Sequence, residues 1–205
     1  NELEPLLADT VATEQKQRIA AALLERHADM FDVEIPKALQ VFFASTGAFN
    51  CENKCAKLSV PGWEPGTFRL VAAPPSWEAA AATDLDDAIV GEDGEWDHAD
   101  RFVPVFRVDE SSYIVVKLDD PKCPVGFFDE ETFREEGKGW DGGVFMLADS
   151  IASFRASLVD VDEGEADYET EPDDEIWDEL AEELEDEDDD EDDDEDEDDE
   201  EGEDD

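Results

Sequence analysis

The last stretch of the chain is almost entirely carboxylate, and this limits what the C-terminal end can fold into. All 17 residues from Glu185 to Glu201 are Asp or Glu, and 29 of the 37 residues from Glu169 to Asp205 are acidic. A segment of this kind buries too little apolar surface to offset its ordering entropy and its self-repulsion. We therefore predict a disordered acidic tail over residues 162–205, and a folded domain within residues 1–161.

The rest of the chain is acidic as well. The whole chain has 14 basic and 64 acidic residues, a formal net charge of −50, and residues 1–161 hold all 14 bases against 31 acids. Phosphate contacts need clustered Lys and Arg, so we expect no direct binding of nucleic acid. The same scarcity of bases argues against docking of the tail on a large basic patch of the domain. We expect the tail to act outward or to serve only solubility.

Membrane spans and a disulfide framework are not expected. No run of about 18 apolar residues is found, and no signal peptide is visible. The three cysteines, Cys51, Cys55 and Cys123, form no disulfide pattern. These features favour a cytoplasmic protein with reduced thiols.

Three helices are predicted in the domain. Residues 10–30 have the apolar spacing of an amphipathic helix, and Pro36 stands where a second helix would begin. Asp149 or Ser150 can cap a final helix. Its apolar face is formed by Ile151, Phe154 and Leu158.

Strands are predicted between these helices. Five runs rich in Val, Ile, Phe and Tyr predict them: 68–72, 102–107, 113–118, 125–128 and 144–147. Turn residues at 109–112 and 119–121 favour antiparallel pairing of neighbours, and the polar segment 76–101 predicts a loop or a short helix. Together these elements predict an α+β domain, an antiparallel-rich twisted sheet with helices packed on it.

Three segments carry a resemblance to a known family. They read EIPKALQVFFASTGAF, RFVPVFRVDESSYIVVKLDDPKCPVGFF and VFMLADSIASFRASL. In that order they resemble the second helix, the central hairpin with its following strand, and the last helix of the SUKH superfamily. The matching positions of the last helix are Ala148, Ser150, Phe154 and Leu158. The resemblance implies a SUKH-like fold over about residues 10–160 and a binding module without shared catalytic residues. The best-known members of the family are immunity proteins of bacterial polymorphic toxin systems, and others belong to the yeast cell-wall-assembly regulator group.

Three patterns formally match metal or nucleotide sites. The GxGxxG pattern at 137–142 follows acidic residues rather than a strand. Cys51 and Cys55 lack a second pair of zinc ligands, and the acidic loop 84–100 lacks the glycine spacing of an EF-hand. Flexible loops and plain thiols are the simpler interpretations, so we expect no enzyme, metal or cofactor. His27 and His98 are expected at the surface or at helix caps.

The start of the tail has a different character from the rest of it. Ile176, Leu180 and Leu184 recur at i, i+4 and i+8 with Trp177 beside them, which predicts a short helix over 174–184. This helix could fold on a partner with Trp177 as its anchor, or it could pack back on the domain. The candidate partner-binding residues are Ile176, Trp177, Leu180, Leu184, Glu185, Asp186, Asp188 and Asp190.

The acidic run indicates a basic partner. An extended chain advances at most about 3.3–3.6 Å per residue, close to the ~3.4 Å between phosphates of a DNA strand. The run could therefore occupy the basic groove of a nuclease. The leading hypothesis is a non-enzymatic immunity protein that binds and neutralises a cognate, basic, nucleic-acid-targeting toxin. The alternatives are an acidic chaperone-like protein for basic proteins such as histones, and an enzyme that uses the loop 84–100 or the Gly-rich loop 137–143.

Overall fold

A computed structural model describes residues 3–45, 48–51, 54–77, 100–109, 111–129, 140–141, 143–160 and 174–189. Within them, four α-helices are α1 (Leu3–Phe31), α2 (Lys37–Ala44), α3 (Ile151–Ser157) and α4 (Asp174–Asp189), and Phe49–Cys51 forms a 3-10 turn. The strands are β1 (Lys54–Leu58), β2 (Gly66–Arg69), β3 (Val71–Ala72), β4 (Phe102–Arg107), β5 (Ser112–Lys117), β6 (Val125–Asp129), β7 (Trp140–Asp141), β8 (Val144–Ala148) and β9 (Val159–Asp160). The protein is α+β, which confirms the predicted fold class.

The strands form two antiparallel sheets. The smaller sheet has the order β2-β1-β9, and the larger has the order β3-β4-β5-β6-β8-β7. β2 and β3 belong to different sheets but are separated only by Leu70, which is fully buried. The N–H of Leu70 donates a hydrogen bond to the carbonyl of Lys54 on β1 at 3.2 Å. The run 66–72 is therefore shared by both sheets.

The core has a large and a small part. The large part lies between α1, α2, α3 and both sheets. It is filled by residues such as Leu23, Phe42, Phe43, Phe68, Phe106, Ile114 and Phe127. The small part lies on the opposite face of the larger sheet, where the indole N–H of Trp77 donates to the carbonyl of Phe102 at 2.8 Å. Strands β5 and β6 are therefore buried on both faces.

The predicted α2, α3, β4, β5, β6 and β8 are present close to their predicted bounds. The first helix begins at Leu3, seven residues before its predicted start, and the strand predicted over 68–72 is divided at Leu70 into β2 and β3. Pro36 is the N-cap of α2. The Ser150 side chain caps α3 by accepting from the N–H of Ser153 at 3.1 Å. β1, β7 and β9 were not predicted. The segments 78–99, 130–139, 161–173 and 190–205 lie outside the described residues. None of the described helices contains a stretch apolar and long enough for a membrane span.

Candidate functional site

The acidic helix α4 lies against the domain that precedes it. Trp177 is only 4% exposed, and its ring meets the ring of Phe49 nearly edge-on, with centroids 5.8 Å apart. The Nζ atom of Lys16 on α1 lies 5.8 Å from the centroid of the same indole. Leu180 is also buried in the core, and Ile176 and Leu184 pack against its edge. The structure thus shows these four side chains packed on the parent domain, one of the two alternatives left open by the sequence.

α4 docks mainly through apolar contacts, and not through the large basic patch that the charge argued against. Among the described residues, two ion pairs flank this apolar seam. Lys16 Nζ lies 2.8 Å from Asp174 Oδ1, and Arg26 Nη1 lies 3.7 Å from Glu183 Oε1. These partly exposed pairs contribute little energy, so the buried indole and leucine supply most of the attachment. A net negative domain can therefore still hold the start of its own acidic tail.

The remaining candidate residues lie at and beyond the end of α4. Glu185, Asp186 and Asp188 are within its last turns, for which the backbone is described, and Asp190 lies outside the described residues. α4 runs to Asp189 rather than to residue 184. The run of 17 acidic residues that starts at Glu185 therefore begins on a helix seated at a defined place on the domain. The assignment of all eight residues to partner binding stays a prediction.

A second surface, which sequence reasoning missed, is a groove of about 630 Å³ between α1 and α2. Its walls carry Ala21, Leu24, Ala28, Val33, Ile35, Val41, Phe43 and Ala44, and its charged or polar lining residues are Glu25, Glu34, Lys37 and Gln40. Val41 is 49% exposed. The available signal was the composition of α2, in which Val41 adds a second apolar side to the buried one formed by Leu39, Phe42 and Phe43.

His27 is buried, which makes its predicted surface or capping position wrong. It is 6% exposed and packs against Phe31 with ring centroids 4.7 Å apart. Burial lowers the pKa of His27 to about 4, partly opposed by the charge of Asp100. Within the described part of the chain, His27 Nε2 and Asp100 Oδ1 have no hydrogen-bond partner. The helical spacing of His27 from Leu23 and Leu24 was a signal that could have placed it on the buried face of α1.

A cluster of four charged side chains joins the short edge strand β7 to the start of β4 and the end of β5. Lys117 Nζ lies 2.6 Å from Asp141 Oδ2, and Arg101 Nη2 lies 3.4 Å from the same oxygen and 3.2 Å from Asp119 Oδ2. The hydrogen bond from Lys117 holds the pKa of Asp141 below its usual range. Every charge in this cluster has an opposite neighbour, so its arrangement fits a role in holding the sheet edge.

The three cysteines are buried. Cys51, Cys55 and Cys123 form no disulfide, and burial raises the pKa of the Cys123 thiol. Among the described residues, no three His, Cys, Asp or Glu side chains lie together so as to hold a metal ion. The acidic residues at 84–99 and the glycines of the 137–142 pattern lie outside the described residues.

Two surfaces therefore stand out in the described chain, the anchored acidic helix and the apolar α1–α2 groove. No protein-family model, no curated protein and no solved structure matches the chain.

Proposed function

We propose that this protein is a non-enzymatic binding protein of SUKH type, an immunity protein that acts in the cytoplasm. It neutralises a cognate toxin by binding it directly. The observation that carries the proposal is the seating of α4, which fixes the origin of a dense run of carboxylates on an α+β domain that is itself acidic.

The chemistry of this arrangement selects a basic partner. The exposed face of α4 carries Glu175, Asp178, Glu179 and Glu182, and the run from Glu185 continues the negative charge. Such a field steers a basic protein toward the domain and raises the association rate, mainly at low salt. A toxin that acts on nucleic acid fits, because its own substrate groove must be positive.

The positions of the resembling segments support the SUKH assignment. The first segment contains Pro36 and α2, the second contains β4, β5 and β6, and the third contains β8 and α3. This is the order of helix, hairpin with following strand, and final helix that the resemblance implies.

The test is capture of the partner from the native cell with the tagged full-length chain, followed by mass spectrometry and an assay of the partner's toxicity. We expect one dominant basic protein whose activity falls on binding. Recovery of many basic proteins with similar affinities would contradict the proposal and favour a general acidic chaperone. A dominant partner that stays active in the complex would also contradict it.

The role of the acidic run is tested by a chain that ends at Asp189, which retains Trp177 and Leu180 in the core. At about 50 mM salt we expect this chain to bind the partner about tenfold more weakly than the full chain, because steering and counterion effects are lost. The difference should shrink at about 500 mM salt, where charges are screened beyond a few Å. Equal affinities of the full chain and the shortened chain at low salt would show that the acidic run does not contribute to binding.

A further inference from the structure

The α1–α2 groove has the shape of a seat for a third helix. One wall is formed by Ala21, Leu24 and Ala28 on α1, and the other by Val41 and Ala44 on α2. The alanines keep both walls low, so a helix placed between them can approach to the ~8–10 Å that separates packed helices. Ala21 and Ala28 are seven residues apart, about 10.5 Å along the helix axis at ~1.5 Å per residue. This length accommodates about two turns of a bound helix.

The charges around the groove favour a cationic occupant. Glu25 and Glu34 line it, and Lys37 is the basic residue among its described lining residues. The bases Lys16 and Arg26 lie toward α4, where they pair with Asp174 and Glu183. The charged residues that line the groove are therefore two acids and one base, a net negative charge beside the apolar walls, and an amphipathic helix flanked by Lys or Arg complements both features.

We propose that this groove binds an amphipathic basic helix of the partner, with about two turns of its apolar stripe between α1 and α2. Because the partner is taken from the proposed function to be a basic protein, the groove gives that function a second, apolar contact besides the acidic run. A second copy of this chain fits less well, since the exposed face of its amphipathic α4 is acidic and would be repelled by Glu25 and Glu34.

The probe is a synthetic peptide of about 18 residues, about five helical turns, with Leu on one face and Lys on the other. A peptide with the same composition in scrambled order carries the same charge without the apolar stripe. Binding to the full-length protein is measured by fluorescence anisotropy at about 0.5 M NaCl, where contact with the acidic run is screened.

Two groove variants and one matched control separate the groove from general charge. Val41→Arg and Ala21→Arg place a long cation on opposite walls at exposed positions, so at least one of them should fold even if the other does not. Met30→Arg adds the same charge at a residue that is 53% exposed and is not among the groove's lining residues. Thermal unfolding checks that each variant is folded.

We expect the amphipathic peptide to bind more tightly than the scrambled one, with its Kd raised at least about tenfold by either groove variant and changed less than about twofold by Met30→Arg. Equal binding of the two peptides, or equal effects of Val41→Arg and Met30→Arg, would overturn the proposal. A dimer in solution that Val41→Arg dissociates would overturn it too, by giving the groove to a second copy. These measurements need no native partner. A failure here therefore leaves the toxin-binding proposal standing, and a failed capture experiment leaves standing the preference of the groove for a basic amphipathic helix.

Discussion

At the scale of single residues, Gly126 shows how closely the central strands approach. It lies on β6 opposite Val115 on one side and Met146 on the other. A Cβ atom at this position would collide with Cγ1 of Val144 and lie 3.3 Å from the backbone oxygen of Phe145. The absence of a side chain is therefore what lets the Val144 side chain pack on the sheet.

We expect Gly126→Ala to lower the free energy of unfolding by about 1–3 kcal/mol, the usual cost of overpacking a filled core. Urea unfolding measures the change. The double variant Gly126→Ala/Val144→Ala provides the control, since removing the Val144 methyl groups should make room and recover part of the loss. A single variant as stable as the parent would contradict the tight contact.

His27 gives the fold a dependence on pH. Its pKa is about 4 in the folded protein and about 6.5 in an unfolded chain, so between these values the unfolded state binds a proton that the folded state excludes. Stability is therefore unaffected by His27 above pH ~6.5. As the pH falls from ~6.5 toward ~4, protonation of His27 in the unfolded state lowers the free energy of unfolding by about 1.4 kcal/mol per pH unit.

We expect His27→Leu to remove this slope while keeping the packing against Phe31. The measurement is the free energy of unfolding at several pH values from 4 to 7.5, taken as a difference between variant and parent so that the many carboxylates cancel. The free energy of unfolding of the variant should increase relative to that of the parent as the pH falls. A difference that does not change with pH would show that His27 does not titrate as its burial indicates.

At the scale of elements, the formation of α4 depends on its contacts with the core of the domain. The helix has acidic residues in its first turn, which suits the helix dipole, and no base in its last turn, which does not. An isolated acidic helix of this length is marginal in water. The contacts of Trp177 and Leu180 with the core therefore decide whether the helix forms.

We expect Trp177→Ala to release α4, since truncation of a buried Trp costs about 3–5 kcal/mol and few other contacts hold the helix. Hydrogen exchange should show lost protection at residues 178–184 and unchanged protection in β4, β5 and β6. Glu179→Ala, at an exposed position of the same helix, is the control and should keep α4 protected. Retained protection in the Trp177 variant would show that other contacts suffice.

The elements also show what the sequence could predict. The bounds of β4 were predicted without error, and those of β5, β6 and β8 within one residue, because each contains a run of mostly apolar residues bounded by turn residues. β1 was missed because KCAKL places two lysines among three small or apolar residues. β7 and β9 have two residues each, which is too short for a periodic pattern. β7 is defined by its pairing with the neighbouring β8, and β9 by its pairing with the distant β1.

The candidate site was predicted in part for a similar reason. The apolar face of α4 follows from the spacing of Ile176, Leu180 and Leu184. Its seat depends on where Phe49 and α1 meet in space, which no local pattern encodes. The α1–α2 groove likewise arises from the relative placement of two helices, although each helix was predicted separately.

At the scale of the whole molecule, repulsion between like charges outweighs the attraction within ion pairs. The net charge of −50 opposes the compact state, whereas the described ion pairs are few and mostly at the surface. Salt screens both, with a Debye length of about 10 Å at 0.1 M and ~3 Å at 1 M. Repulsive pairs of like charges are far more numerous than ion pairs, so we expect salt to stabilise the folded state by screening the repulsion.

We therefore expect the Tm to rise with NaCl, by about 2–4 °C for each kcal/mol of repulsion removed. The chain that ends at Asp189 lacks 15 of the acidic residues and should show a smaller rise. Differential scanning calorimetry at low and high salt measures both. A Tm that falls with salt would show that ion pairs such as those of Arg101 and Lys117 outweigh the repulsion.

The run 66–72, shared by the two sheets, determines how the protein responds to force. A pull applied to one sheet reaches the other through covalent backbone at Leu70, with no loose linker to absorb it. Because β2 ends at Arg69 and β3 begins at Val71, we expect that peeling β2 from the smaller sheet pulls directly on β3 in the larger one. Under mechanical load the domain should therefore rupture in one step.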